Sequence, residues 1–297
     1  MLGNVVVAVI SCIFPGKNVK PSNVFLLNLA LCDTAWLLTL PLTIYFRFQS
    51  PNPDSIQTFC KFKKMSFNMN IYGSMFFISL ISFDRYVGTV HPISSLHWWN
   101  VGKAKICSVL TWVGLVLSTI PDLFVTLTMQ QSENTIMCMN HINSPFPLLK
   151  TFTIIRTTVC FLLPFSAMLA FYIMTIHVLR NRSRGRRNKE LQQEGRKPLQ
   201  LIIAAVLVSA ASFVPYHIMA ITLIFMQTHS LVKLSNSSFL YASFELCEAL
   251  FSLSSCLDPF LYILASEQFK SQILTLKRDR YRILCCKEGR RVGVIGE

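Results

Sequence analysis

Long apolar runs, separated by short polar segments, make up most of the chain. They carry few charges, and between Val24 and Phe46 the only charged residue is Asp33. An α-helix needs about 20 mostly apolar residues to cross a hydrocarbon layer of roughly 30 Å. The pattern therefore predicts an all-α membrane protein, a bundle of seven transmembrane helices over residues 2–14, 23–46, 65–90, 104–126, 150–179, 198–227 and 238–265.

The first of these runs is too short to cross a membrane alone. It ends before Pro15, and its residues would form a helix about 20 Å long at a rise of roughly 1.5 Å per residue. Either the sequence starts inside its first transmembrane helix, or the run is the core of a signal peptide. No cationic stretch precedes it and no small-residue cleavage site follows it, so we expect a truncated first helix.

A short amphipathic segment follows the seventh run. Phe269, Ile273 and Leu276 recur at helical spacing among basic residues, which predicts a helix lying on the membrane surface over residues 267–284. Cys285 and Cys286 come directly after it and are candidates for palmitoylation, the alternative being two unmodified thiols. We therefore expect one membrane domain over residues 1–284 and a tail over residues 285–297.

Basic residues define the predicted orientation. Hydrophobic residues make up 52% of the chain and charged residues 14%, whereas soluble domains average about 25% charged residues. Eight Lys and Arg lie between Arg180 and Lys197, and eight more between Lys270 and Arg291. Such clusters mark cytoplasmic segments. The sequence therefore predicts a multi-pass protein of the cell membrane, with the N-terminus extracellular and the C-terminus cytoplasmic. Contact with anionic membrane lipid accounts for the net charge of +14 without nucleic acid.

Three residues carry expected modifications on the extracellular side. Cys60 opens the third run and Cys138 lies in the loop after the fourth, so both face an oxidising compartment in which a disulfide persists. The sequon at Asn236 lies on the same side and predicts glycosylation.

Ionisable residues inside the predicted spans are the best functional candidates, because charge at membrane depth is costly. No metal-ligand cluster, phosphate-binding loop or nucleophile–base pair accompanies them, so we expect no enzyme. These residues are Asp33, Asp84, Arg85, Asp122, Arg156, Glu245, Glu248 and Asp258.

Several of these residues belong to motifs placed one to a span. The sequence resembles the rhodopsin-like (class A) G-protein-coupled receptors over nearly its whole length. The matching residues are Gly3-Asn4, Asn28 to Asp33, Cys60, Asp84-Arg85-Tyr86, Trp112, Pro164 with Tyr172, Phe213 to Tyr216, and Asp258 to Tyr262. The resemblance implies an extracellular small ligand, a heterotrimeric G protein and arrestin as partners.

The resemblance also implies a switch at the cytoplasmic end. Asp84 would hold Arg85 in the resting state, and activation would release Arg85 toward the G protein. At the start of the sixth span, Gly195 stands at the position where an acidic residue would hold Arg85, and Glu194 lies beside it, so we expect a loosely held resting state. The other switch residues implied are Tyr86, Tyr172, Pro215, Asp258, Pro259 and Tyr262. Prolines lack an N–H, so Pro164 and Pro215 are expected to break their helices locally.

A sodium ion is implied at mid-membrane, as an allosteric modulator and not as a cofactor of catalysis. Asp33, Ser74, Ser254 and Asp258 match the family positions that bind it, and their oxygens suit such a cation. The alternative is that Asp33 only forms hydrogen bonds with Asn4 and Ser254.

The branch most similar to this sequence contains the purinoceptors, with relatives for carboxylic acids and lysophospholipids. The implied ligand-binding residues are Lys64, Asn68, Tyr72, Arg156, Tyr216, His217, Glu245 and Glu248. Nucleotide receptors carry cations where this chain has Ala220 and Glu248, so a neutral purine or an amine competes with a nucleotide. Glu245 and Glu248 would pair with Lys64 or Arg156, or accept a basic group of the ligand. Asp122 has no assigned role.

Two other functions stay open at this point. An orphan or decoy receptor without G-protein coupling is one, although Asp84-Arg85-Tyr86 is intact. A transporter is the other, but the spans show no internal repeat. A light receptor is excluded because no lysine between Ser235 and Glu267 is available to bind retinal.

Overall fold

The computed structural model describes residues 4, 20–48, 53–125, 147–184, 189–228 and 237–265. Nearly all of these residues are helical. The helices are α1 (Pro21–Leu37), α2 (Thr39–Phe48), α3 (Pro53–Val90), α4 (Pro92–Trp98), α5 (Val101–Val125), α6 (Pro147–Thr157), α7 (Leu163–Arg184), α8 (Lys189–Thr228) and α9 (Ser237–Ala265). A π-helical turn, Thr158–Leu162, joins α6 to α7.

These helices account for the second to seventh predicted spans. The second span is α1 with α2, the third α3, the fourth α5, the fifth α6 with α7, the sixth α8 and the seventh α9. The prediction of an all-α membrane bundle is confirmed. The first span, except Asn4, and the amphipathic segment 267–284 lie outside the described residues.

Four of the described helical stretches are long and apolar enough to cross a membrane by length and composition. They are Pro21–Phe46, Val101–Asp122, Thr151–Asn181 and Ile202–Thr222. The outward faces of these stretches are apolar as well: Leu110, Leu163, Ile173 and Leu207 are each exposed by more than 60%. Such faces suit contact with lipid tails and would be unfavourable in water.

The third span lies at the centre of the bundle, where α3 packs against α1, α5, α7 and α8. Gly73 permits a close approach of these spans, because a Cβ atom there would lie 2.7 Å from the Sγ atom of Cys32 and 3.1 Å from a methyl carbon of Leu115. Trp112 links the fourth span to the second, because its indole N–H donates a hydrogen bond of 2.7 Å to the amide oxygen of Asn28. The second, third and fourth spans are therefore held in fixed register.

The two prolines predicted to break helices behave differently. Pro164 follows the π-helical turn, in which the N–H of Leu163 bonds to the carbonyl of Thr158, five residues earlier. The wider turn relieves the clash that a proline ring makes with the preceding helical turn. At Pro215 the helix assignment continues, because α8 includes this residue, and a local kink there stays a prediction. A proline removes one backbone hydrogen bond, and the buried side chains of Phe213 and Tyr216 keep the helix packed there.

Aromatic side chains form the core that joins the second, third, sixth and seventh spans. The ring of Phe251 lies 6.1 Å from Trp36, 5.3 Å from Phe67 and 5.5 Å from Phe213, measured between centroids. Trp36 also donates a hydrogen bond of 3.0 Å to the hydroxyl of Ser252. Since Phe251 and Trp36 are fully buried, this cluster fixes the seventh span against the rest of the bundle.

Candidate functional site

A buried ion pair joins the fourth and fifth spans in the half of the bundle that contains Cys60, called here the Cys60 end. The Nη1 atom of Arg156 donates to Oδ2 of Asp122, and the amide of Asn68 donates to the same oxygen over 2.5 Å. Arg156 is only 3% exposed and Asp122 5%. Buried charges persist when each is paired and hydrogen-bonded, so Asp122 is the counter-ion that makes a buried Arg156 tolerable.

Aromatic rings surround the guanidinium of Arg156. Its Cζ atom lies 5.3 Å from the centroid of the Tyr72 ring and 5.5 Å from that of Phe152. A cation within about 6 Å of a ring centroid is attracted by the ring's negative face. Tyr72 also packs against His217, with ring centroids 5.9 Å apart at 65°. Tyr72 thus connects the charged pair to the sixth span.

His217 is held in one orientation by its neighbours. Its Nδ1 lies 2.8 Å from the carbonyl oxygen of Phe213, and because a carbonyl only accepts hydrogen bonds, Nδ1 carries the proton. The ring stacks on Phe161 at 3.9 Å and is perpendicular to Tyr216 at 5.2 Å. Among the described residues, Nε2 of His217 and Oδ1 of Asn68 have no hydrogen-bond partner. These acceptors on His217 and Asn68 are buried, and buried polar atoms normally find partners.

The second ion pair of the Cys60 end joins the third and seventh spans. The sequence predicts Lys64 or Arg156 as the partner of Glu248; in the structure Glu248 pairs with Lys63, at 2.8 Å. The ammonium of Lys63 also lies 5.9 Å from the ring of Trp36. Lys64, the next residue, lies close enough to Asp122, Arg156 and Glu248 to interact with their charges electrostatically. The side chain of Glu245 lies outside the described residues.

Polar side chains meet again near the middle of the bundle. Oδ1 of Asp33 accepts hydrogen bonds from Asn70 at 3.0 Å and from Ser74 at 3.5 Å. Ser255 donates to the amide oxygen of Asn70 over 3.2 Å, and Asn4 donates to the backbone oxygen of Ser255 over 2.7 Å. Ser254, by contrast, donates to the backbone oxygen of Phe251 over 2.7 Å. Asn70 and Ser255 are therefore members of this cluster that the sequence does not reveal.

This cluster fits a small cation. The carboxyl groups of Asp33 and Asp258 lie close enough to interact, both residues are at most 1% exposed, and Oδ1 of Asp258 has no hydrogen-bond partner among the described residues. Two adjacent buried carboxyl groups are stable only when they share a proton or a cation. Within the described ranges no three His, Cys, Asp or Glu side chains converge.

The opposite end of the bundle, called here the Arg85 end, holds the predicted switch. The indole N–H of Trp99 donates to Asp84 over 2.8 Å, and Nη2 of Arg85 donates to the hydroxyl of Ser22 over 2.9 Å. Tyr86 stacks on Phe171, with ring centroids 5.3 Å apart. Trp99 and Ser22 are thus direct partners of the switch residues, and no sequence motif points to them.

The remaining switch residues are spread over three helices. Tyr172 is half-buried on α7 and Pro215 is half-buried on α8. Pro259 and Tyr262 belong to the helical backbone of α9, and their side chains lie outside the described residues.

Predicted modifications fall mainly outside the described residues. Cys60 is 1% exposed and disulfide-bonded, whereas Cys32, Cys107, Cys160, Cys247 and Cys256 are free. The partner of Cys60 is not among the described residues, so its pairing with Cys138 stays a prediction. Cys138, Asn236, Cys285 and Cys286 lie outside the described ranges.

Comparison with known proteins agrees with this architecture. The sequence model of the family described as "7 transmembrane receptor (rhodopsin family)" matches residues 3–262. The chain is 30% identical to purinoceptor 1 of Cavia porcellus over 288 residues, which is 95% of this chain and 74% of the relative. It is 31% identical to purinoceptor 1 of Gallus gallus over 270 residues, 88% of this chain and 71% of the relative.

A relative with another name shows similar coverage. Cysteinyl leukotriene receptor 2 of Sus scrofa is 27% identical over 272 residues, 89% of this chain and 74% of the relative. Proteins of this family are receptors and not enzymes. The family match spans almost the entire bundle, and the chain therefore belongs to the rhodopsin family of seven-transmembrane receptors.

Proposed function

We propose that this receptor, which like its family activates a G protein in response to an extracellular ligand, binds that ligand at the Cys60 end beside Asn68, Tyr72, Arg156 and His217. Unused acceptors on Asn68 and His217, in a cluster that joins four spans, carry the proposal. Lys64, Tyr216, Glu245 and Glu248 border this site in our proposal.

Charge pairing supports a restriction on the ligand. Arg156 is paired with Asp122 and Lys63 with Glu248, so a polyphosphate would have to displace a carboxylate to use either of these two cations. Charge-assisted hydrogen bonds to a phosphate require cationic donors that are available. We therefore propose a ligand with at most one negative charge: a neutral purine, a monocarboxylic acid or a lysophospholipid. The names of the purinoceptor relatives favour the purine.

Receptor signalling tests this proposal. We expect calcium or cyclic-AMP responses to purine bases, nucleosides, carboxylic acids or lysophospholipids at lower concentrations than to nucleoside triphosphates. Tyr72→Ala and His217→Phe should each raise the half-maximal concentration by roughly tenfold or more, as expected when about 1.4 kcal/mol of contact is lost. His177→Phe, an exposed histidine on α7, serves as the matched control. A triphosphate that is the most potent ligand, and insensitive to both variants, would contradict the proposal.

Orientation and modifications complete the proposed receptor. The Cys60 end faces the cell exterior, with a disulfide between Cys60 and Cys138 and a glycan on Asn236. The Arg85 end faces the cytoplasm, where arrestin is a further partner. Palmitoyl groups on Cys285 and Cys286, and the basic segment before them, hold the tail to membrane lipid. Clusters of Lys and Arg on that side support this arrangement.

Sodium binding at Asp33, Ser74, Ser254 and Asp258 is proposed from the two adjacent buried carboxyl groups. We expect sodium chloride to raise the melting temperature of the purified receptor above that in choline chloride. A stabilisation of about 1.4 kcal/mol is expected at a sodium concentration roughly ten times the dissociation constant. Asp33→Asn and Asp258→Asn should remove the difference, whereas Asp54→Asn, an exposed carboxylate on α3, should keep it. An undiminished sodium effect in Asp33→Asn would refute the site.

A further inference from the structure

Polar atoms of three side chains around Tyr72 lack a hydrogen-bond partner among the described residues. They are Oδ1 of Asn68, Nε2 of His217 and Nε of Arg156. Asn68 is 0% exposed, His217 2% and Arg156 3%. Asn68 lies about one helical turn before Tyr72 on α3, and the other two side chains pack against the Tyr72 ring. Because buried polar atoms normally form hydrogen bonds, these atoms define what a group bound beside Tyr72 has to offer.

The orientation of the Asn68 amide is set by Asp122. Its Nδ2 donates over 2.5 Å to Oδ2 of Asp122, the same oxygen that accepts from Nη1 of Arg156. Turning the amide by 180° would place its oxygen against that carboxylate oxygen, and neither atom carries a proton to donate. Oδ1 of Asn68 is therefore a hydrogen-bond acceptor that faces away from Asp122.

His217 likewise presents an acceptor. Its Nδ1 donates to the carbonyl oxygen of Phe213 over 2.8 Å, which leaves Nε2 without a proton in the neutral ring. The guanidinium of Arg156 lies close enough to interact electrostatically with this ring, so a second proton would place two like charges together in a buried site. Such an arrangement is unfavourable. The stack on Phe161, with ring centroids 3.9 Å apart at 8°, holds the ring plane.

Arg156 offers a donor at Nε, while its charge is already paired with Asp122. A carboxylate or phosphate carries only acceptors, so it would leave Oδ1 of Asn68 and Nε2 of His217 unsatisfied. An ammonium carries only donors and would add a second cation beside the guanidinium. A buried acceptor or donor left without a partner costs free energy, so neither kind of charged group suits this set of atoms.

We propose that the site beside Tyr72 takes an uncharged group with both N–H donors and an acceptor, namely a primary amide or an amino-substituted heteroaromatic ring. The N–H donors bond to Oδ1 of Asn68 and Nε2 of His217, and the acceptor takes the N–H of Arg156. This inference rests on the proposed function, because it requires that the ligand binds at the Cys60 end. Among the ligands that the charge pairing allows, it selects an amino-substituted purine.

Two pairs of ligands with matched shapes test this inference on the purified full chain. Adenosine is compared with purine riboside, which lacks the amino group, and benzamide with benzoate, which has a carboxylate in place of the amide. Apparent dissociation constants come from the rise in melting temperature over a concentration series that extends to millimolar. We expect adenosine and benzamide to bind about tenfold more tightly than their partners, the effect of leaving one buried acceptor without its hydrogen bond.

The variant His217→Phe separates recognition from structural support. Phenylalanine keeps the aromatic stack on Phe161 but removes Nε2, so the preference for adenosine over purine riboside should shrink by about threefold or more. A change that only loosens the bundle would weaken both ligands alike and leave their ratio unchanged. His177→Phe, which replaces an exposed histidine on α7, should also keep the ratio. Should His217→Phe not survive purification, the two ligand ratios of the unmodified chain decide alone.

Equal binding within either ligand pair would overturn the inference, and so would a benzoate that binds more tightly than benzamide. A melting temperature that none of the four compounds raises would overturn it as well. The proposed function fails on a different result, a triphosphate that is the most potent ligand in the signalling assay and is insensitive to Tyr72→Ala and His217→Phe.

Discussion

Replacing Asp122 by alanine is expected to lower the stability of the receptor by about 3–5 kcal/mol, the cost of leaving one partner of a buried ion pair alone. Arg156 is 3% exposed, so its charge would be left without a carboxylate partner in a buried site. Asn68 would lose the acceptor to which its amide donates. The variant should reach the cell surface poorly, and its melting temperature in detergent should fall well below that of the unmodified chain.

The double variant Asp122→Leu with Arg156→Met is the informative companion. Replacing both charges by apolar side chains of similar size is often neutral or stabilising, so the double variant should recover most of the lost melting temperature. Asp54→Ala, which removes an exposed carboxylate on α3, should have little effect. If the melting temperature of Asp122→Ala equals that of the unmodified chain, the ion pair contributes no stability and our account of the Cys60 end is wrong.

Truncating Phe251 to alanine is expected to cost a similar amount, about 3–5 kcal/mol for a fully buried phenylalanine. The ring is 0% exposed and contacts Trp36, Phe67 and Phe213, which belong to three other spans. Its removal leaves a cavity where four helices meet. The measurement is thermal unfolding of the purified receptor, together with the fraction that reaches the cell surface.

Leu253→Ala provides the matched control for this truncation. Leu253 lies two residues further along the same helix and is 55% exposed, so its loss removes surface that faces lipid. Phe251→Leu should cost less than Phe251→Ala, since a leucine fills part of the site. Equal melting temperatures for Phe251→Ala and Leu253→Ala would show that the aromatic core does not hold the seventh span.

The bundle and the mid-membrane carboxylates were predictable because each rests on a local signal. A run of about 20 apolar residues indicates a transmembrane span regardless of which helices pack against it. Asp33 and Asp258 stand alone in apolar surroundings, and charge at that depth is rarely without a role. Their closeness in the structure agrees with both expectations.

The ion pairs were not predictable in the same way, because each depends on how two helices are rotated. Arg156 and Asp122 are 34 residues apart, and their meeting needs a specific rotation of the fifth span against the fourth. Lys63 and Lys64 are adjacent in sequence but lie about 100° apart around a helix, so the rotation of α3 decides which of them reaches Glu248. The hydrogen bond from the indole N–H of Trp99 to Asp84 is even harder to predict, since Trp99 lies in a short connecting segment outside the spans.

The π-helical turn Thr158–Leu162 has a consequence for how the fifth span tolerates changes in length. A π-helical turn holds one residue more than an α-helical turn, and each residue of an α-helix rotates the chain by about 100°. Deleting one residue there would let the turn tighten into an ordinary helix without breaking the span. Everything before it would then keep its orientation, and Arg156 would still face Asp122. A deletion further along α7, where no wider turn can absorb it, would instead rotate Arg156 away from Asp122 by that angle, although hydropathy and span length barely change in either case.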